Sequence, residues 1–578
     1  MTLKLQDDPM KTSDMLIENF GSRDAAVHVN RRFRNHGWSR FAGLLYVSSW
    51  ICKQLDHSFR WMGRAALDAA ILSSLALTLG CGGGSLGTPA GGGSSGSVPS
   101  DSVTIGKNVT GPFNVAMSTS FQPAEWDYTL FQTYPNLTGP LQNLQSQHIR
   151  LQGVSQGVPQ GAANSTSTSW DFSILDAITQ PVLSVGDHSP EFQIAKAPPF
   201  MYESDDSSNT FQDLTFQQCA GYAQNLVQYY SAGGLTANGQ TYVSPAYPTD
   251  TVTWWGIYNE PNINNNLTAQ QYVAMYNTLV PAMQAVDPKL KFAAVELADF
   301  QNQVQDWIPT FVSGVTAQVD ALATHFYSTC DQTTDDATVF ASVATSANGN
   351  FNFVTDVQLL YSLMAANPAL ANVPVWVTEN NVNADYDAGN GMSACNPGQT
   401  FVTDDRGSST FFAAWRPYVF SQLGKAGIRA LYHWDFAADP QFGEVNVTTE
   451  QGQTQLSYWV DYWLQHTFPS PPGASLLQYS DTDDTEVETL PVMNSDGSVV
   501  VMVANHAVDA MTDNNGPGAP RSVLIDVSAL GTFSSGSLLT IDANTSPITG
   551  PSQTSVTPAA QITISFTGYG VAFLTLNP

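Results

Sequence analysis

The sequence predicts an α/β protein: a parallel (β/α)8 TIM barrel followed by a C-terminal antiparallel β-sandwich. Three observations carry that reading. Eight extended apolar segments alternate with helical stretches across the middle of the chain, as a parallel barrel buried on both faces requires. From about Gly473 only short strands with turn residues between them remain. No Gly-rich phosphate loop follows the first strand, which argues against a doubly wound open sheet.

The barrel strands are read in order as Phe113–Ser118, His148–Gly153, Pro181–Asp187, Thr251–Glu260, Lys291–Leu297, Val319–Tyr327, Val373–Asn380 and Ala430–Phe436. Between them, stretches such as Ala269–Val286 and Phe411–Ala426 carry apolar residues at helical spacing with Gly or Pro near their ends. In the last part, Glu488–His506 reads as two strands around the turn Asn494-Ser495-Asp496-Gly497. Arg521–Val527, Ser537–Ile541, Gln561–Thr567 and Val571–Leu576 continue the pattern. The early segment Ser102–Asn108 offers the sandwich a further strand. The expected organisation is a leader over 1–81, a linker over 82–101, a catalytic barrel over 102–472 and the sandwich over 473–578.

Charge divides the chain at the same place. Of 578 residues, 43% are hydrophobic and 12% charged, a globular composition whose polar surface is mostly uncharged. Ten of the 20 Lys and Arg precede residue 81 but only seven of the 49 Asp and Glu, so the rest carries ten bases against 42 acids. Such a body repels a polyphosphate backbone, which excludes nucleic acid as a natural partner and leaves a neutral polysaccharide or oligosaccharide compatible. Arg60 and Arg64 precede the apolar run Ala69–Gly80, which ends at Cys81. That run is too short to span a bilayer but suits a signal-peptide core, and it resembles a bacterial lipoprotein signal in which Cys81 is lipidated. The Gly/Ser-rich stretch behind it is a flexible tether. The expected location is therefore the cell envelope or the exterior, with membrane contact only through the lipid. Cys219, Cys330 and Cys395 show no zinc-ligand spacing, so neither metal nor cofactor is expected. Cys330 and Cys395 follow predicted strands six and seven, neighbours in a barrel, so their loops can meet in a disulfide. Cys219 would remain unpaired on the helix after strand three.

Breaking a glycosidic bond with retention needs two carboxyl groups about 5 Å apart, one protonated and one ionised. Barrel strands converge at their C-terminal ends on one rim. Predicted strand four ends in Asn259-Glu260-Pro261-Asn262 and strand seven in Thr378-Glu379-Asn380. Glu260 and Glu379 are the candidate catalytic pair. Arg150 lies in an apolar strand, where a charge is costly unless paired; Glu379 would satisfy it and have its own pKa lowered. Glu260 must hold its proton, which takes desolvation or a nearby negative charge, and Glu379 would supply that charge. His325 and Tyr327 alternate at the end of strand six and project to one side, with Tyr327 able to donate to Glu379. Trp434 offers a flat face for a sugar ring, Asn259 precedes the acid, and only one of Trp254 and Trp255 can face the axis. Gln152, His188 and Glu296 rank lower, Glu296 as a third rim carboxylate.

The positions of Asn259-Glu260 and Glu379 resemble the catalytic pair of the clan A barrel glycosidases. Within that clan His-Ile-Arg-Leu-Gln-Gly (148–153), Thr-His-Phe-Tyr (324–327) and Tyr-His-Trp-Asp-Phe (432–436) are similar to segments of glycoside hydrolase family 39, with Gln152 where that family has His. The resemblance implies a retaining glycoside hydrolase with Glu260 as acid/base and Glu379 as nucleophile. A catalytically inert surface carbohydrate-binding lipoprotein is the alternative from another class, distinguished by turnover of aryl glycosides. A transglycosylase would share both glutamates and differ in its acceptor.

Overall fold

Alternation along short parallel strands builds the centre of the molecule. The computed structural model describes residues 100–578 apart from 122–128, 153–157, 162–167, 186–188, 204–208, 265, 299–305, 346–351 and 484. The leader, Cys81 and the tether up to residue 99 lie outside the described residues, as does His188. Eight parallel strands close into a barrel: Ala116–Phe121, Ile149–Gln152, Glu191–Ile194, Trp254–Ile257, Lys291–Leu297, Ala321–Thr329, Val375–Asn383 and Ala430–His433. The eighth pairs with the first, Ala430 opposite Ala116.

Strand three corrects the sequence reading. Of the expected strand Pro181–Asp187, the residues Pro181–Ser184 instead end the helix Ser173–Ser184, in which Leu175, Ile178, Thr179, Val182 and Leu183 are buried at helical spacing, while 186 and 187 lie outside the described residues. A short apolar run fits either period. The true strand, Glu191–Ile194, alternates polar and apolar because its polar residues point into the barrel, so it lacked the apolar signature.

The lumen is filled in layers. Trp254 and Trp376 pack at the bottom with Ala116, Ala293, Ala321, Ala323, Ala430 and Tyr432, large against small. Trp255 faces outward against Phe192, so the neighbouring tryptophans divide as the pleat demands. Helix Ala269–Gln284 begins with a reciprocal cap between Thr268 and Gln271, and helix Thr410–Ala426 ends at Gly427 in the left-handed region. Both lie where apolar spacing predicted them.

The C-terminal strands form one nine-stranded sheet that includes Asp101–Phe113 from the start of the described chain. That strand runs antiparallel to Ala474–Asp481 and parallel to Arg521–Asp526, so one pairing departs from the all-antiparallel expectation. Val103, Val523 and Ile564 from one end of the sheet share a core with Val501, Leu574 and Leu576 from its middle strands. Leu490, Met502 and Phe573, on the opposite face, join the main core shared with the barrel. Among the described residues no helix is long and apolar enough to cross a membrane.

Candidate active site

Two bulges aim the site. Pairing between strands five and six slips between Val295 and Leu297, and pairing between strands six and seven slips between Val377 and Glu379. Val295 (φ 81°) and Glu296 (φ 42°) take left-handed backbone, an unfavourable choice for a β-branched valine. Tyr272 stabilises this turn, its hydroxyl accepting from Val295 N at 2.8 Å and donating to Ile257 O at 2.9 Å. Glu260, itself at φ 44°, donates its backbone N–H to Glu296 O at 3.1 Å.

Arg150 is the hub. It has no exposed surface, and it donates Nε to Glu296 Oε2 at 2.9 Å, Nη1 to Glu379 Oε1 at 3.0 Å and Nη2 to Asn259 Oδ1 at 2.8 Å. The expected pairing with Glu379 is present. The side chain is fully buried and does not line the cleft, and the groups it meets are the carboxylates and Asn259. Gln193 also donates to Glu296, and Tyr432 donates to Glu191 Oε2 at 2.8 Å. A Cβ at position 256 would collide with Glu296 and Gln193, so only glycine fits there.

Above this layer Glu260 and Glu379 face the same cleft, with ligand atoms of Glu260, His325 and Glu379 all within 4.8 Å of one another. Nδ1 of His325 lies 2.9 Å from Glu260 Oε1 and 3.4 Å from Glu379 Oε2. Burial lowers His325 to about 4, so the ring is neutral at pH 7. Tyr327 donates to Glu379 Oε2 at 2.9 Å; burial keeps this phenol protonated. Asn264 Nδ2 donates to Glu260 Oε2 at 3.1 Å.

Burial raises Glu260 to about 7, against the opposing pull of Arg150 and the Asn264 bond. Its side chain keeps 17% exposure, enough to reach a substrate. Of the two causes the sequence reading offered, desolvation and the charge of Glu379, desolvation is the one that acts. Glu379 is raised as well, not lowered. Burial outweighs the pull of His325 and Arg150, and the charge of Glu260 pushes it further up against the Tyr327 bond. Two such close acids titrate as a pair. Donors favour ionisation of Glu379, which accepts from a guanidinium and a phenol, whereas Glu260 accepts from the neutral amide of Asn264.

Glu296 is fully buried and does not line the cleft, so it is no rival to the pair; burial raises it to about 8. Asn259, His325, Tyr327 and Trp434 do line it, together with Gln152, whose buried Oε1 has no hydrogen-bond partner among the described residues. Sequence reasoning missed Glu191, Gln193 and Asn264. The signal for the first two was their two-residue spacing around Phe192. A disulfide joins Cys330 to Cys395, whose Cα atoms are 5.8 Å apart, and both cysteines line the cleft. Cys219 is buried and unpaired on helix Gln217–Ser231, its thiol pushed up to about 12 by desolvation.

Among the described residues two clusters group His and carboxyl atoms closely enough for a cation: Glu260 with His325 and Glu379, and His433 with Glu444 and Asp461. In the second, the ring nitrogens of His433 lie 2.8 Å from Asp461 Oδ2 and from Phe442 O, and Arg416 donates to Asp461 at 3.0 Å. Those ligand atoms are already committed to structure.

A closed parallel barrel with two close carboxyls at the ends of strands four and seven defines the class: the protein is a glycoside hydrolase. Residues 249–403, which contain both glutamates, match the family model of the glycosyl hydrolase catalytic core. Among solved structures, a family 39 β-xylosidase from Caulobacter crescentus matches at 15% identity and TM-score 0.53, covering 82% of this chain and 100% of its own. The family 39 enzyme from Xanthomonas axonopodis pv. citri matches at 14% and 0.53, covering 83% and 98%. A family 51 α-L-arabinofuranosidase from Thermotoga petrophila matches at 13% and 0.56, covering 82% and 100%. At these identities the likeness is one of fold. No curated protein matches the chain.

Proposed function

We propose that the enzyme cleaves a poly- or oligosaccharide by double displacement with retention of configuration. The observation that carries this is the approach of the Glu260 and Glu379 carboxyl oxygens to within 4.8 Å. That proximity suits direct attack and is shorter than the separation of about 6.5–9.5 Å between the acids of an inverting enzyme. The Glu379 carboxylate attacks the anomeric carbon as the glycosidic C–O bond breaks, and Glu260 passes its proton to the leaving oxygen. A glycosyl ester on Glu379 results. Glu260, now ionised, takes a proton from water as that water attacks the anomeric carbon and Glu379 departs. With Oδ1 of Asn259 engaged by Arg150, its amide nitrogen is left to donate to the sugar, and Gln152 Oε1 accepts from a hydroxyl. Trp434 supplies a stacking face.

Glu379→Ala is expected to abolish turnover of every glycoside. Glu260→Ala is expected to spare attack on aryl glycosides with good leaving groups, then stall at the ester. Azide should restart it and yield a glycosyl azide of retained configuration. An inverted azide would sink the mechanism. Xylosides and arabinofuranosides are the first probes, because the named structural relatives include a β-xylosidase and an α-L-arabinofuranosidase. The proposal extends to an exported lipoprotein, supported by the apolar run before Cys81. Stable anchoring takes more than one acyl chain. Cys81→Ser should move the protein from the membrane to the soluble fraction; wild-type protein already soluble would count against it.

A further inference from the structure

The cleft is far larger than one sugar. Its volume is about 1490 Å³, and its walls come from loops after strands four, six, seven and eight. The wall after strand seven is unusually well tied. Buried Asp385 accepts from Tyr386 N at 3.0 Å, Ser393 Oγ at 2.7 Å and Cys395 N at 2.9 Å. Ala394 N donates back to Tyr386 O at 3.0 Å, and Asp387 pairs with Ser393 across the loop. The Cys330–Cys395 disulfide then clamps this loop to the one after strand six, with Asn396 Nδ2 donating to Cys330 O at 2.8 Å. The clamped loop presents Tyr386, 50% exposed, along the same cleft as the two glutamates.

An aromatic ring left half in water costs hydrophobic free energy, and here the backbone on both sides of it is locked in place. Such preorganisation serves a binding surface, because a ring carried on a held backbone loses less entropy when a flat apolar partner settles on it. The partner's charge is also restricted. Asp387 and Asp439 line the same cleft, and Lys196 is its one Lys or Arg among the described residues. A uronate or sulfated sugar would be repelled.

Resting on the glycosidase reading above, we propose that Tyr386 is a remote sugar-stacking platform on a disulfide-clamped wall. The substrate is then a neutral oligosaccharide that extends along the cleft beyond the bond being cleaved. Binding energy from this contact is made with units away from the reacting carbon, so it depends on chain length.

The test compares wild type, Tyr386→Ala, Tyr386→Trp and the Cys330→Ser/Cys395→Ser double variant. The aryl probes are para-nitrophenyl β-xyloside, α-arabinofuranoside and β-glucuronide. A ladder of xylo- or arabino-oligosaccharides follows, matched to the aryl sugar turned over. Tyr386→Ala should leave kcat and KM on the aryl glycoside unchanged and raise KM about five- to tenfold on the longer oligosaccharides. Tyr386→Trp should keep the wild-type ladder, and the double variant should shift toward the alanine result. A ladder identical in wild type and Tyr386→Ala, with aryl turnover intact, overturns the platform. Preference for the glucuronide overturns the neutral substrate. Failure of the wild type on every glycoside would instead remove the glycosidase reading on which both rest.

Discussion

Arg150→Met is the most informative single change, because one side chain serves three acceptors. Nε, Nη1 and Nη2 reach Glu296, Glu379 and Asn259 at 2.8–3.0 Å, and none of the guanidinium is exposed. Methionine keeps much of the apolar stem and deletes the charge. Breaking a buried ion pair from one side costs about 3–5 kcal/mol, because the partner stays buried without a counter-charge. That corresponds to a fall of about 1 M in the urea midpoint. The deficit should depend on pH with a definite sign. Arg150 favours the ionised forms of Glu191, Glu296 and Glu379, so its loss raises all three. A carboxyl raised in the folded state favours folding while it is protonated and loses that contribution as pH rises through its folded pKa. The variant should therefore lie nearest to wild type in acid and fall behind toward neutrality. In kinetics, the acidic limb of kcat/KM, which reports ionisation of Glu379, should move to higher pH. The maximum should drop by about 10²-fold as the nucleophile loses its anchor. Arg150→Lys should not rescue, since one ammonium cannot span three acceptors. An unchanged midpoint together with an unchanged acidic limb would refute the reasoning.

Three further outcomes follow from the same geometry. The basic limb of kcat/KM should fall near pH 7, where Glu260 loses its proton, and Asn264→Ala should shift it upward by deleting a bond that favours the carboxylate; a pH–rate profile on an aryl glycoside with a poor leaving group reads both. Glu296→Gln should retain most turnover, because burial already favours the protonated acid, whereas Glu379→Gln should not; steady-state rates on one substrate separate them, and equal losses would contradict the placement of Glu296. Replacing both Cys330 and Cys395 by serine removes a cross-link between residues 65 apart and should cost about 4 kcal/mol in urea unfolding on the chain-entropy account.

Much of the site was legible because its chemistry is tied to strand ends. Glu260, Glu379, His325, Tyr327 and Trp434 all reach the cleft they were expected to share. The pairing of Arg150 with Glu379 followed from the cost of an unpaired charge in an apolar strand, and the disulfide from the adjacency of strands six and seven. What failed was strand three. A strand whose inward residues are Glu191 and Gln193 looks too polar for a parallel barrel, and the helix before it looked apolar enough to replace it.

From sequence alone, the barrel, the strand-rich C-terminal part and the meeting of Glu260 and Glu379 in one cleft could be read, because periodicity and position along the chain encode which side chains point inward at one rim. Tertiary structure alone decided the electrostatics. Which acid rises, and why Glu379 is raised despite its donors, depends on how much water each loses when strands far apart in the chain close over it. That desolvation is a property of the packed barrel, not of any local segment. The same holds for Glu296, which looked like a rim acid: a bulge at Val295 and the missing side chain of Gly256 let it sink beneath the cleft onto Arg150.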